Sequence, residues 1–548
     1  MKKTTRPQIL LAALLAAAPV SAAQAPAAAV ARIDQIFEQW NTTTSPGCAV
    51  GVAHNGRTTL ARAWGMADLE HNAANTPATI FEAGSVSKQF TAAAIVLLAL
   101  DGKLSLEDDI RKYLPEIPDY GTTITIRHMM THTSGLRDWG SVAGIAGWPR
   151  TTRVHTHDHV LDILSRQRAL NFPPGFEYSY SNSGYNLLTI IVDRVSGTPF
   201  PEFSKQRIFG PLGMTSTQWR DDHTRIVKGR ATAYSARQRG FSIAMPFENV
   251  YGNGGLLTTV GDLLIWNENL ETGRLGGPAF LETLHRVGVL SDGRSITYAS
   301  GLMIGAHRGT REVSHTGSTA GYRAFLARYP DAKLSVALLC NVGNANPGAL
   351  GHQVADVFLP APLVVAEPER EAGVQLSATQ LEARAGLYRD ARTGEPFRLS
   401  LDDGRLRAGN TALVPLSPTS FRAGAAGRML SFEASPGSTR MRIRERGAQG
   451  DTATYEPVPA FTPTAAELAA FAGEYSSPDT ETGITVVVAD DRLFLHRRPA
   501  ARLPLTPVYP GAFNSPIGLI RFFRSNGEVT ELSVRQGRVY DLRFGRAR

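Results

Sequence analysis

At 548 residues, with 43% hydrophobic and 19% charged residues, the chain exceeds one ordinary domain and can bury a large core. A net charge of +8 is mild for that length. No dense basic run with interleaved aromatics occurs, so the composition argues against nucleic acid as a partner.

The first 23 residues read as a signal peptide. Lys2, Lys3 and Arg6 open it, an apolar run follows from Ile9 to Val20, and Ser21-Ala22-Ala23 offers a cleavage site. The apolar run is too short to span a bilayer and nothing comparable follows, so stable membrane insertion is not expected. No cysteine stands near the cleavage site to carry a lipid. The predicted location is periplasmic or secreted.

Residues 27 to 40 carry an apolar stripe, Val30, Ile33, Ile36, Phe37 and Trp40, that predicts an amphipathic helix. Gly47 to Ala53 reads as a strand. His54-Asn55-Gly56-Arg57 is a hairpin turn because Asn-Gly tolerates positive φ, and Thr58 to Trp64 is the returning strand. Cys48 and Cys340 are the only cysteines, both in strand-like runs. A bridge is open to an exported protein, but two separate buried thiols are the favoured reading.

Next comes Ser85-Val86-Ser87-Lys88, at the head of a long apolar stretch that ends near Asp101-Gly102. A spacing of three puts Ser85 and Lys88 on one helix face. Burial would disfavour the charged lysine, and a neutral amine could then take the serine proton. The chain has only eight lysines, yet a surface helix could show the same four letters.

Residues 104 to 290 read mostly as helix and loop. Within them Tyr180-Ser181-Asn182 sets a hydroxyl and an amide two residues apart, so both face one side of an extended loop. The hydroxyl can relay a proton, and the amide can orient the Lys88 amine or a substrate amide. Taken alone, the stretch is equally a turn with a packed tyrosine. His155, His157 and His159 alternate as metal ligands might, but without supporting carboxylates they read as a solvated helix entry capped by Thr156. His128 and His132 read as structural helix-end residues.

Strands follow at Arg311 to Ser314, Gly321 to Arg328 and Leu334 to Leu339, with a helix from Pro347 to Leu359. His315-Thr316-Gly317-Ser318 stands at a strand end. His315 can donate toward a site, Gly317 permits close backbone approach, and the Ser318 amide could share an oxyanion with the Ser85 amide. In isolation the stretch reads as a turn. Strands at both ends with helices between predict one α+β domain over residues 28–360.

Residues 361–377 read as a linker. Beyond it the chain repeats itself. Leu381, Gly386 and Tyr388 match Leu468, Gly473 and Tyr475 at an offset of 87, as do Asp403, Arg405 and Leu406 against Asp490, Arg492 and Leu493. Residues 378–460 and 465–548 are therefore two copies of one unit, each a short helix followed by alternating strands, predicting two small antiparallel β-barrels or meanders. Packing is favoured for them over a carbohydrate- or peptide-binding role.

The three motifs together, in this order, resemble the penicillin-recognising serine hydrolases, in the branch of class C β-lactamases, D-Ala-D-Ala carboxypeptidases and D-aminopeptidases. Phe81-Glu82-Ala83-Gly84, the segment Met130 to Leu136, and Gly254 to Thr259 followed by Asp262 extend the likeness. The resemblance implies a β-lactamase/transpeptidase-like domain in which Ser85 is acylated. Lys88 and Tyr180 would share the proton traffic, and either could be the base. Asn182, His315, Thr316 and Gly317 would bind substrate, and the amides of Ser85 and Ser318 would hold the oxyanion. No metal or organic cofactor is implied. The doubled C-terminal unit is most similar to D-aminopeptidases, whose last barrel lends the active site a loop that selects a free amine. Here His-Thr-Gly replaces the expected His-Gly-Gly, and the candidate loop Arg497 to Arg502 is short and basic. The leading expectation is a peptidase on small or D-residue-containing peptides. An esterase or β-lactamase, and a non-catalytic penicillin- or peptidoglycan-binding protein, are the alternatives.

Overall fold

The computed structural model describes residues 24–360, 373–424, 428–435, 438–447 and 452–547. The expected signal peptide and most of the expected linker lie outside the described residues.

A six-stranded antiparallel sheet forms the centre of the first domain. Its order is Met303–His307, Thr310–Thr319, Tyr322–Tyr329, Leu334–Cys340, Cys48–His54 and Arg57–Trp64. The first two strands of the chain thus complete a sheet begun by the last four. One face packs against the helices Ala27–Phe37 and Pro347–Phe358 through Ile33, Phe37, Val50, Val336 and Val354. The other face is covered by a larger helical layer around Lys88–Leu100, Asn182–Ser196 and Val260–Thr272. In Lys88–Leu100 every residue through Leu98 is buried, as expected of a helix apolar on all sides.

Two details depart from the sequence reading. Thr310–Thr319 is a single strand, so His315, Thr316, Gly317 and Ser318 stay within the ladder rather than at its end. The turn comes at Ala320-Gly321, where Thr319 pairs with Tyr322. The middle region also contains strands. Phe81–Glu82, Leu256–Thr258 and Gln218–Trp219 form a small sheet of their own, which carries the 253–255 segment to the side of Lys88.

Cys48 and Cys340 are joined by a disulfide with a Cα–Cα separation of 4.0 Å, which corrects the expectation of two separate thiols. They are direct register partners in adjacent strands. A pairing between strands 292 residues apart is a property of sheet order, which spacing alone does not reveal.

The repeated half forms two closed eight-stranded antiparallel barrels, spanning Gly386–Pro457 and Gly473–Arg546. Each opens on a short helix with a capping box, built on Ser377 and on Thr464. The repeat residues have the same task in both. Gly386 and Gly473 take positive φ at the helix-to-strand corner. Tyr388 and Tyr475 each donate to the carbonyl four residues back, on Arg384 and Phe471, at 2.8 Å.

The second barrel docks on the first domain. Val142 and Ile145, on the helix Trp139–Ile145, join the barrel's own apolar core. Arg137 meets Asp479 at 2.7 Å in a buried ion pair and donates to the Asp541 carbonyl. No helix among the described residues is long and apolar enough to cross a membrane.

Candidate active site

Ser85 lies in the single 3₁₀ turn Gly84–Ser87, which runs into the helix Lys88–Leu100. In a 3₁₀ turn, side chains three apart eclipse, which brings Lys88 over Ser85. The turn is pressed against the strand carrying His315. A Cβ on Gly84 would stand 2.5 Å from the Ser318 nitrogen, and one on Gly317 would stand 2.0 Å from the Ala83 carbonyl oxygen. Only glycine at both places lets the two backbones meet. That contact brings the backbone at Ser318 against the turn that carries Ser85.

Lys88 is completely buried. Its Nζ lies 2.7 Å from the Asn253 carbonyl oxygen, 3.0 Å from Asn182 Oδ1 and 3.3 Å from Ser85 Oγ. Burial holds its pKa well below the ordinary lysine value. The positive charge of Arg538 and Arg150 adds to the effect, and Asp138 opposes it. The faces of Tyr180 and Tyr185, at 4.7 and 5.5 Å, favour the ammonium by about 2 kcal/mol or somewhat more. Desolvation of an ion with no hydrogen-bonded carboxylate outweighs that. A neutral amine has two N–H groups and one lone pair. In that neutral form the two shorter contacts, both to pure acceptors, would use both N–H groups and leave the lone pair for the Ser85 hydroxyl.

Tyr180 packs beside Lys88. Its hydroxyl is buried with no hydrogen-bond partner among the described residues, and burial raises its pKa. Ser85 lies close enough to oppose the rise, although no hydrogen bond of normal geometry joins the two. Tyr180 is held from behind by His132. The His132 ring is 4.2 Å from the tyrosine ring, and its Nδ1 accepts from the Ser181 amide at 3.2 Å. Asn182 begins the helix Asn182–Ser196, and its own amide donates to Asp138 at 3.0 Å.

His315 departs from expectation. Its Nδ1 donates to the Thr316 carbonyl at 2.6 Å, and its Nε2 accepts from the Tyr298 hydroxyl at 3.0 Å. Both nitrogens are therefore engaged, and the ring reaches the cavity without a free donor. Burial pushes its pKa down to about 4, so the ring is neutral at neutral pH.

Ser85, Tyr180, Asn182, His315, Thr316 and Ser318 line one cavity of about 450 Å³, with Lys88 beneath it. Sequence reasoning missed Asn253, Tyr298, Arg150, Glu248 and Arg538. For Asn253 a signal existed, since the next residues, Gly254-Gly255, were already singled out.

The histidine trio is not a solvated face. His155 is buried against the Trp148 carbonyl, His157 bonds to the Tyr251 carbonyl and Thr189, and His159 completes the Thr156 capping box. His128 likewise completes a capping box, with Thr125, at a helix start. His307, Glu312 and His352 do bring donors together, but the two rings stack 4.0 Å apart and 7° from parallel. Lone pairs lying in parallel ring planes do not converge on one ion.

Residues 33–357 match the Beta-lactamase family model, and the chain belongs to that family. Among curated proteins it is 26% identical over 463 residues to a D-aminopeptidase of Cereibacter sphaeroides, covering 82% of this chain and 83% of that one. To a D-aminopeptidase of Brucella canis it is 29% identical over 317 residues, 58% of this chain and 60% of that one. The match therefore spans less than two thirds of the Brucella protein. Among solved structures, the octameric penicillin-binding protein homologue from Pyrococcus abyssi aligns over 78% of this chain and 100% of its own, with a TM-score of 0.54 and 23% identity. That last likeness is one of fold.

Proposed function

We propose that the protein is an exported serine hydrolase that cleaves amide bonds in small peptides containing D-residues. The observation that carries this reading is the fully buried Lys88 amine, 3.3 Å from Ser85 Oγ and held there by the carbonyl oxygens of Asn253 and Asn182.

In the proposed step, Lys88 takes the Ser85 proton as Oγ bonds to the substrate carbonyl carbon. The oxyanion formed is met by the amides of Ser85 and Ser318. The C–N bond then breaks. The proton returns to the departing nitrogen through Lys88 and the Tyr180 hydroxyl, leaving an ester on Ser85. Water hydrolyses that ester by the same route in reverse. Asn182 holds the amine in place. His315, through Tyr298, keeps the neighbouring wall rigid and uncharged.

The D-aminopeptidase relatives support a D-residue substrate. The bridge between Cys48 and Cys340 supports export, since such bonds persist in oxidising compartments. Ser85→Ala is expected to abolish labelling by a fluorophosphonate and to leave the melting temperature nearly unchanged. A labelled variant would overturn the assignment. D-alanine p-nitroanilide, p-nitrophenyl acetate and nitrocefin separate a peptidase from an esterase and a β-lactamase. Labelling without turnover of any of them would indicate a binding protein. N-terminal sequencing of the secreted form tests export.

A further inference from the structure

The cavity takes one wall from the second barrel. The turn between strands Glu528–Gln536 and Val539–Arg546 delivers Arg538, whose guanidinium carbon lies 4.7 Å from the centroid of the Tyr180 ring. The turn is anchored on both sides. Asn171 donates to the Arg538 carbonyl at 2.9 Å and accepts from the Tyr540 amide at 3.0 Å. The Tyr540 hydroxyl donates to Glu177 at 2.8 Å. The stretch Arg497 to Arg502 goes elsewhere. Arg498 lies over Trp148 and lines a separate cavity.

The other ionic groups of the catalytic cavity are already paired. Arg150 is bidentate to Glu248. Glu82, fully buried, is held by Arg220 and Arg230. Arg538 differs. It forms only one long ion pair, with the buried Asp138 at 3.6 Å, whose oxygens also accept from the amides of Ser141 and Asn182. The Arg538 guanidinium makes no hydrogen bond within 3.5 Å to the described residues, and its side chain is 42% exposed. The cavity therefore offers a substrate ammonium no free carboxylate, and offers a substrate carboxylate an arginine with unspent donors.

We infer that Arg538 is the subsite for a carboxylate on the departing half of the substrate. This rests on the proposed acyl-enzyme reading. The proton for the departing nitrogen arrives from the Tyr180 side of Ser85, and Arg538 sits on that ring. The preferred substrates are thus peptides whose leaving D-residue bears a free acid, rather than peptides selected by a free amine.

Matched leaving groups test this. Alanine 4-nitroanilide and alanine 3-carboxy-4-nitroanilide, both of the D series, differ only in the acid, as do 4-nitrophenyl acetate and 3-carboxy-4-nitrophenyl acetate. The full-length wild type is expected to favour the carboxylated member of each pair in kcat/KM. In Arg538→Met the preference should fall about 10- to 100-fold, the loss of one charged hydrogen-bonding partner. Arg538→Lys should keep part of it. No preference in the wild type, or an equal preference in Arg538→Met, would overturn the inference. Failure of the nitroanilides alone would rule out D-alanine as the acyl half and leave the ester pair to decide on Arg538.

Discussion

At the scale of single residues, the site turns on which group loses its proton first. Burial lowers the pKa of Lys88 and raises that of Tyr180, so the amine is the better base near neutrality. The sign follows directly. A lysine base works in its deprotonated form, so kcat/KM should climb with pH and level off well below the ordinary lysine value of 10.5. A phenolate base would still be gaining activity above pH 10, the ordinary tyrosine value. A pH–rate profile distinguishes them, and a continued rise into that range would exclude Lys88 as the base. The residues Ser85, Lys88, Tyr180, Asn182 and His315 were legible because their types and order are specific. Asn253 was marked only by the neighbouring Gly254-Gly255, because it contributes a main-chain carbonyl that any residue would supply. The Arg538 role was hidden for another reason. It is one of 57 basic residues, and nothing local marks it.

At the scale of elements, the site is a meeting of one 3₁₀ turn, one sheet strand, one helix start and one barrel turn. Each of the first three carries a motif that the sequence singled out, although it read them as a helix face, a strand end and an extended loop. It assigned the fourth to the wrong hairpin, because turn composition says nothing about which barrel loops face a neighbour. Asn171 is the positioning residue for the correct one. Asn171→Ala removes two of the hydrogen bonds that fix the turn. It should weaken the preference for carboxylated leaving groups less than Arg538→Met does. Labelling of Ser85 by a fluorophosphonate should persist. An unchanged preference ratio would show that the turn is held by Tyr540 and barrel packing alone.

At the scale of the whole molecule, the sheet order was only partly readable. Strands at both chain ends implied that the termini of the first domain pair, which they do, through Cys48–His54 against Leu334–Cys340. The exact register was not readable, and so the bridge between Cys48 and Cys340 was not expected. Replacing both cysteines by alanine should cost about 2–4 kcal/mol of unfolding free energy, because the cross-link closes a very long loop in the unfolded chain. Chemical denaturation with and without reductant measures it, and equal midpoints would show that the bridge adds nothing. The repeat pattern was fully legible as two similar units. The closure of each into a barrel came from strand pairings between its ends, which no local pattern records.

The anchored turn at Arg538 puts selectivity and chemistry on different domains. The groups that break the bond belong to one domain, while the group that chooses among substrates rides on a few residues contributed by another. Exchanging that short connection for an acidic one would retune the enzyme toward cationic leaving groups without disturbing a single strand. A lineage with this layout can therefore shift substrate choice by editing a loop tip, and the same edit also resets the proton affinity of the Lys88 amine, which the Arg538 charge helps to lower.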